Sequence, residues 1–141
     1  MINELLKILK EDEGTGPIKN GNLMPYLDSV GVQTIGYGHS LEQGISPAIA
    51  EALLTEDVTD AIKDCYKFDW FPKLNDARQV VICSMIFNLG LTRFNGFKKT
   101  IAYIELEEYE NAAEEMLDSK WADQVGSRAI RLSVIMRTGE L

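Results

Sequence analysis

The chain has 141 residues, 45% of them hydrophobic, which suffices for one domain with a real core; 22 acidic against 14 basic side chains leave a net charge of −8. That balance opposes nonspecific attraction to nucleic acid or to anionic lipid. With one histidine and no close thiol pair, a structural zinc site lacks ligands, so no metal and no cofactor is expected; Cys65 and Cys83 read as buried free thiols inside helices rather than as a disulfide.

The first residues, MINELLKILK, are too short and too charged for a secretory signal. No later apolar run approaches the roughly 18 residues of a membrane span, so a soluble protein without stable membrane insertion is expected. Ile2, Leu5, Leu6 and Leu9 recur at helical spacing and predict an amphipathic helix over 1–12, with Gly14 as its stop. Residues 13–45 change character. Seven glycines and two prolines accompany Val30, Val32, Thr34, Ile35 and Tyr37, which predicts turns and short strands. Ser46 as cap and Pro47 at the first helical position open a helix over 46–68, with Ile49, Leu53, Val58, Ala61, Ile62 and Cys65 on one apolar face. At about 30 Å it is long enough to link two lobes.

The segment NDARQVVICSMIFNLG is apolar on nearly every side, with Asn75 or Asp76 as cap and Gly90 as terminator, so it predicts a central buried helix. Further helices are predicted over 95–104, 107–118 and 127–137, separated by a polar turn and by DQVG. The fold class is therefore α+β: a small N-terminal β-hairpin lobe and a larger helical lobe over 69–141, joined by the long helix within one folding unit.

The densest motif is YLDSVGVQTIGYGH, residues 26–39. Asp28 and Thr34 are equidistant from Gly31, so a hairpin centred there would oppose them at about 5 Å between Cβ atoms. A carboxylate and a hydroxyl so placed can hold a water, one accepting its proton and the other orienting it. The plainer alternative is that both side chains bond to each other or to turn amides. Glu13 ends the first helix just before a glycine and could face the hairpin as a second acid, the pairing that glycoside hydrolysis requires. It reads equally as a solvated member of the cluster Glu11-Asp12-Glu13.

"EG" at 13–14 followed by YLDSVGVQTIGYGH closely resembles the signature of the bacteriophage-type lysozymes. FNLG at 87–90, NGF at 95–97, SKW at 119–121 and SRAIR…RTG over 127–139 resemble that family's helical lobe in the same order. The resemblance implies a lysozyme-like fold and a muramidase that hydrolyses the β-1,4 bond between N-acetylmuramic acid and N-acetylglucosamine in peptidoglycan. By it, Glu13 matches the general acid, and Asp28 with Thr34 matches the pair that positions the attacking water, with inversion at the anomeric carbon. The acid role requires Glu13 to hold its proton, which calls for burial. Arg128 matches an arginine beside that glutamate, whereas Arg131 reads as a surface charge. His39 is expected to pair structurally with Asp57 on the long helix. Phe87 and Asn88 match the floor of the sugar cleft, with ordinary core equally open for Phe87, and Ser40 and Thr100 match cleft-lining positions. The resemblance further implies a monomeric endolysin that gathers in the host cytoplasm and reaches the periplasm or cell wall through a holin-type pore.

Two departures stand out. Fourteen residues separate Glu13 from Asp28, more than the family usually shows, and GTGPIKNGN carries the excess. Because Asn20-Gly21 is a strong turn signal, an extended hairpin that leaves both acids in place is expected. Glu115 stands where a family member shows a cleft asparagine. A lytic transglycosylase, which needs no water-activating aspartate, and a noncatalytic glycan-binding module are the alternative readings.

Overall fold

A computed structural model describes all 141 residues, and their contacts divide the chain into two units, Met1–Glu51 and Ala52–Leu141. The architecture is α+β, as expected, with eight α-helices and two small antiparallel sheets. No helix is long and apolar enough to cross a membrane.

The first unit begins with helix α1 (Ile2–Glu13), one residue later at each end than predicted. Strands β1 (Ile18–Lys19) and β2 (Asn22–Leu23) then pair antiparallel, Ile18 with Leu23 and Lys19 with Asn22. Asn20 and Gly21 form the two-residue turn between them, both at positive φ, 52° and 80°. That is the backbone a tight hairpin selects and the reason an Asn-Gly pair sits there. The excess residues after Glu13 thus fold as an exposed hairpin of their own. A separate three-stranded sheet follows, β3 (Tyr26–Leu27), β4 (Gln33–Ile35) and β5 (His39–Ser40), with β4 in the middle. Thr34, on β4, is the one buried residue of this unit. The apolar stripe of α1 has the predicted period, yet Ile2, Leu5, Leu6 and Leu9 are all exposed.

Helix α2 (Pro47–Cys65) starts where Ser46 accepts a bond from the Ile49 amide, 3.3 Å. It ends three residues earlier than predicted. Only Ala61 and Cys65 of its expected apolar face are buried; Ile49, Leu53, Val58 and Ile62 stay exposed. A 3-10 turn over Phe71–Lys73 leads to α3 (Asp76–Leu89), whose cap is Asn75: its Oδ1 accepts from the Arg78 amide at 3.0 Å. Val81, Ile82, Met85 and Ile86 make α3 the buried axis of the second unit.

A short helix that was not predicted, α4 (Leu91–Phe94), precedes NGF; the helix predicted over 95–104 starts only at Lys98, as α5 (Lys98–Glu105), and α6 (Tyr109–Leu117) follows. An unpredicted helix, α7 (Lys120–Val125), is capped by Ser119, whose Oγ accepts from the Ala122 amide at 3.1 Å. Helix α8 (Ser127–Thr138) closes the unit, packing on α3 and α6. Its last carbonyls, which no helical amide can reach, are met from α3: Arg78 Nε donates to Met136 O at 2.8 Å and Nη2 to Arg137 O at 3.1 Å. The Arg78 guanidinium also lies 3.7 Å from the centroid of the Tyr109 ring, and Asn75 Nδ2 donates to Gly139 O. One arginine therefore ties three helices. At the centre, Phe94 is fully buried among Phe68, Trp70 and Phe97.

Candidate active site

Five of the predicted site residues, Glu13, Asp28, Thr34, His39 and Ser40, lie in the first unit, and its turns position the first three. The register of β3 and β4 pairs Tyr26 with Thr34 and Leu27 with Gln33, so Asp28 is not opposite Thr34 as the symmetric hairpin would have it. The cause is Gly31. It occupies a positive-φ position, 83°, at the end of a three-residue loop, and the Asp28 amide donates to Val32 O across that loop at 2.9 Å. The hairpin is thus centred on Val30, and a glycine bulge rather than a glycine apex reverses the chain.

Both side chains are nonetheless anchored to one residue. Asp28 Oδ1 accepts from the Val30 and Val32 amides, each at 2.9 Å, and Thr34 Oγ1 donates to Val32 O at 2.8 Å. Bonding to turn amides, the plainer alternative for Asp28, is therefore present. It leaves the chemistry open, because Oδ2 takes neither amide proton and the Thr34 oxygen keeps its acceptor capacity. Paired strands place Tyr26 and Thr34 on one face, and Asp28 is two residues from Tyr26 on the alternation of a strand, so Asp28 and Thr34 are diagonal neighbours.

Glu13, the last residue of α1, carries its carboxylate against the turn between β4 and β5: a Cβ on Gly38 would stand 3.0 Å from Glu13 Oε2 and 3.3 Å from its Cδ. Lys10, one turn earlier, lies 5.6 Å from the Tyr37 ring centroid. On the other side of that turn, Tyr26 donates its hydroxyl to Gly36 O at 3.2 Å. Glu13 is exposed, so the burial expected of a general acid is lacking. A residue at a helix end beside a backbone turn has few side chains to cover it. His39 is held by a backbone partner, its Nε2 lying 2.8 Å from Gly44 O, and Ser40 pairs with Thr34 across β4 and β5.

In the second unit, Asp57 stands exposed on α2, at the rim of a shallow depression of about 250 Å³ shared with Asp60, Asp64 and Phe87. Phe87 is 42% exposed, which answers the core alternative for it: the ring is not core. Its sequence neighbour Asn88 is turned elsewhere on α3, with Oδ1 accepting from Trp121 Nε1 at 2.8 Å. Trp121, Thr100 and Glu115 line a cavity of about 700 Å³ that also takes in Arg93, Lys99 and Asp118. Neither Phe87 nor Asn88 lines it: Phe87 borders the depression beside Asp57, and Asn88 is linked to the cavity only through its bond to Trp121. Thr100 is buried at the base of α5, and Arg128 Nη2 donates to Ser84 Oγ at 3.4 Å.

A family model described as phage lysozyme matches residues 18–137. The chain belongs to the phage lysozyme family. It is 27% identical over 172 aligned positions to "Probable T4-type lysozyme 1" of Dictyostelium discoideum, covering 100% of this chain and 98% of that one. "Probable T4-type lysozyme 2" of the same organism is 26% identical over the same extent. "Endolysin" of Salmonella phage P22 is 33% identical over 121 residues, 77% of this chain and 75% of the relative. As a phage-type lysozyme the protein is a glycoside hydrolase of the muramidase kind. The matched residues begin beyond Glu13 and take in Asp28 and Thr34.

Sequence reasoning passed over three residues that position the candidate side chains, two in the first unit and one in the second. Val32 fixes both Asp28 and Thr34 through its own peptide groups, Gly38 leaves room for the Glu13 carboxylate, and Trp121 orients Asn88. The repeated glycines of TIGYGH mark Gly38; the bond between Trp121 and Asn88 spans 33 residues and has no local signal.

Proposed function

We propose that Glu13 is the general acid and Asp28 the general base, with Thr34 orienting the water, in hydrolysis of the β-1,4 bond between N-acetylmuramic acid and N-acetylglucosamine. The single observation that carries this reading is the anchoring of Asp28 and Thr34 to the two sides of Val32, which holds a carboxylate and a hydroxyl as neighbours without side-chain freedom. Water donates one hydrogen bond to Asp28 Oδ2 and the other to Thr34 Oγ1, whose own proton is engaged by Val32 O, and the proton facing Asp28 passes to Oδ2 as the new C1–O bond forms. The oxygen lone pair then attacks C1 as Glu13 delivers its proton to the leaving glycosidic oxygen. The bound glycan supplies the cover that the exposed Glu13 carboxyl lacks. Attack on the face opposite the leaving group inverts the anomeric carbon, with room for the water when the carboxyl groups stand roughly 6.5–9.5 Å apart.

Within the second unit, the cavity lined by Thr100 and Glu115 is a further surface for glycan, and Asn88 reaches it through its bond to Trp121. The biological reading is an endolysin: a monomer that gathers in the host cytoplasm, leaves through a holin-type pore and lyses the wall at the end of infection. The experiment is turbidity loss of outer-membrane-stripped Gram-negative walls with the wild type, Glu13→Gln and Asp28→Asn, followed by mass analysis and proton NMR of fresh products. Each variant is expected to lose about 10²–10⁴-fold in rate, and the wild type to release reducing-end fragments first seen as the α-anomer. Anhydro products would replace hydrolysis with transglycosylation, and full activity of Asp28→Asn would remove Asp28 from the reaction.

A further inference from the structure

The two cysteines are far apart in sequence and adjacent in space. Cys65 is the last residue of α2 and fully buried; Cys83 lies mid-way along α3 and is part-buried; their sulfurs are 3.1 Å apart. Cys83 also borders an apolar groove of about 560 Å³ between Leu54, Val58, Ile62, Val80 and Phe87, so a small reagent can reach it. Nothing in the hydrolysis uses either thiol.

We propose that Cys65 and Cys83 form a dithiol site which a low-molecular-weight disulfide such as oxidised glutathione converts into an intramolecular disulfide joining α2 to α3. The two thiols have unlike roles. The hydrogen bond to Cys83, and then burial, push the Cys65 thiol well above its ordinary range, whereas the bond received from Cys65 lowers Cys83. The accessible sulfur is thus the one that ionises first, as an attacking thiol requires.

The Cys83 thiolate attacks one sulfur of the oxidant and expels a glutathione thiolate. Cys65 then gives up its proton and attacks Cys83 Sγ, breaking the mixed disulfide and releasing the second glutathione. Two protein thiols are oxidised by two electrons and one oxidised glutathione becomes two reduced ones. Bringing the sulfurs from 3.1 Å to a bond of about 2.05 Å needs a shift of only about 1 Å, and the bond encloses residues 66–82.

The test equilibrates the folded full chain with oxidised glutathione and follows intact mass, thiols titrated after denaturation, and melting temperature. The expected result is a monomer lighter by two hydrogens, no remaining thiol, and a melting temperature higher by about 5–10 °C. Cys83→Ser, checked for folding by circular dichroism, is expected to slow glutathione attachment more than about 10-fold, because Cys65 alone is out of reach. Two free thiols after equilibration, a glutathione adduct that persists on the wild type, or disulfide-linked dimers would each overturn the proposal. Attachment to Cys65 in Cys83→Ser at the wild-type rate would overturn the order of attack.

Discussion

The first unit has one buried residue, Thr34, while all nineteen buried hydrophobic residues lie at or beyond Ala61 in the second. The first nevertheless holds Glu13, Asp28 and Thr34, the residues proposed for the chemistry, and it fixes Asp28 and Thr34 with backbone hydrogen bonds and turns instead of a core. Stability and the proposed chemistry are thus drawn from different regions. A turn fixes a side chain through two or three bonds of about 1 kcal/mol each, which is enough to orient it. Packing of fully buried aromatic and aliphatic groups contributes about 1.5–3 kcal/mol per side chain, which is enough to hold a domain together.

Substitutions can break or sharpen this contrast. Phe94→Ala removes a fully buried ring from the second unit and is expected to cost about 3–5 kcal/mol in urea unfolding, the largest stability effect. Arg78→Ala leaves the end carbonyls of α8 without donors and removes the Tyr109 contact; a loss of about 2 kcal/mol is expected by the same measurement. Gly38→Ala tests the opposite region. Its Cβ would crowd Glu13 at 3.0 Å on a backbone with φ of 78°, and wall clearing should fall about 10-fold. Melting should drop only by the strain of one residue, about 1–2 kcal/mol. A Gly38→Ala variant as active as wild type would mean that the Glu13 carboxylate does not work from this position. Smallest of all, Ile18→Ala trims an exposed side chain of the β1–β2 hairpin and should change stability by less than about 0.5 kcal/mol with unaltered clearing; a larger loss would show that the hairpin is packed against something.

How much was legible in the sequence follows the same division. The second unit announces itself through period and caps: the apolar run of α3, Asn75 before it and Gly90 after it all stand as read. Helix α7 was missed although Ser119 is a capping residue, because six residues give too short a period to register. In the first unit, composition identified the β region and Asn20-Gly21 the extra hairpin. The centre of the hairpin that carries Asp28 and Thr34 lies one residue earlier than predicted, which moves the partner of Thr34 by two residues, from Asp28 to Tyr26, since a sequence does not say whether a glycine forms the apex of a turn or the bulge after it. The apolar stripe of α1 was legible as a helix and illegible as to burial, because period reports which side chains share a face and not what covers them.

The β1–β2 hairpin closes on itself and shares no strand pairing with β3, β4 and β5. Chain length between Glu13 and Asp28 is therefore free to drift, since added residues are absorbed by a self-contained ribbon and the strands that hold Asp28 keep their register. For protein engineering this makes the Asn20-Gly21 tip a grafting point, where a wall-targeting peptide can be spliced in without redesigning the enzyme around it.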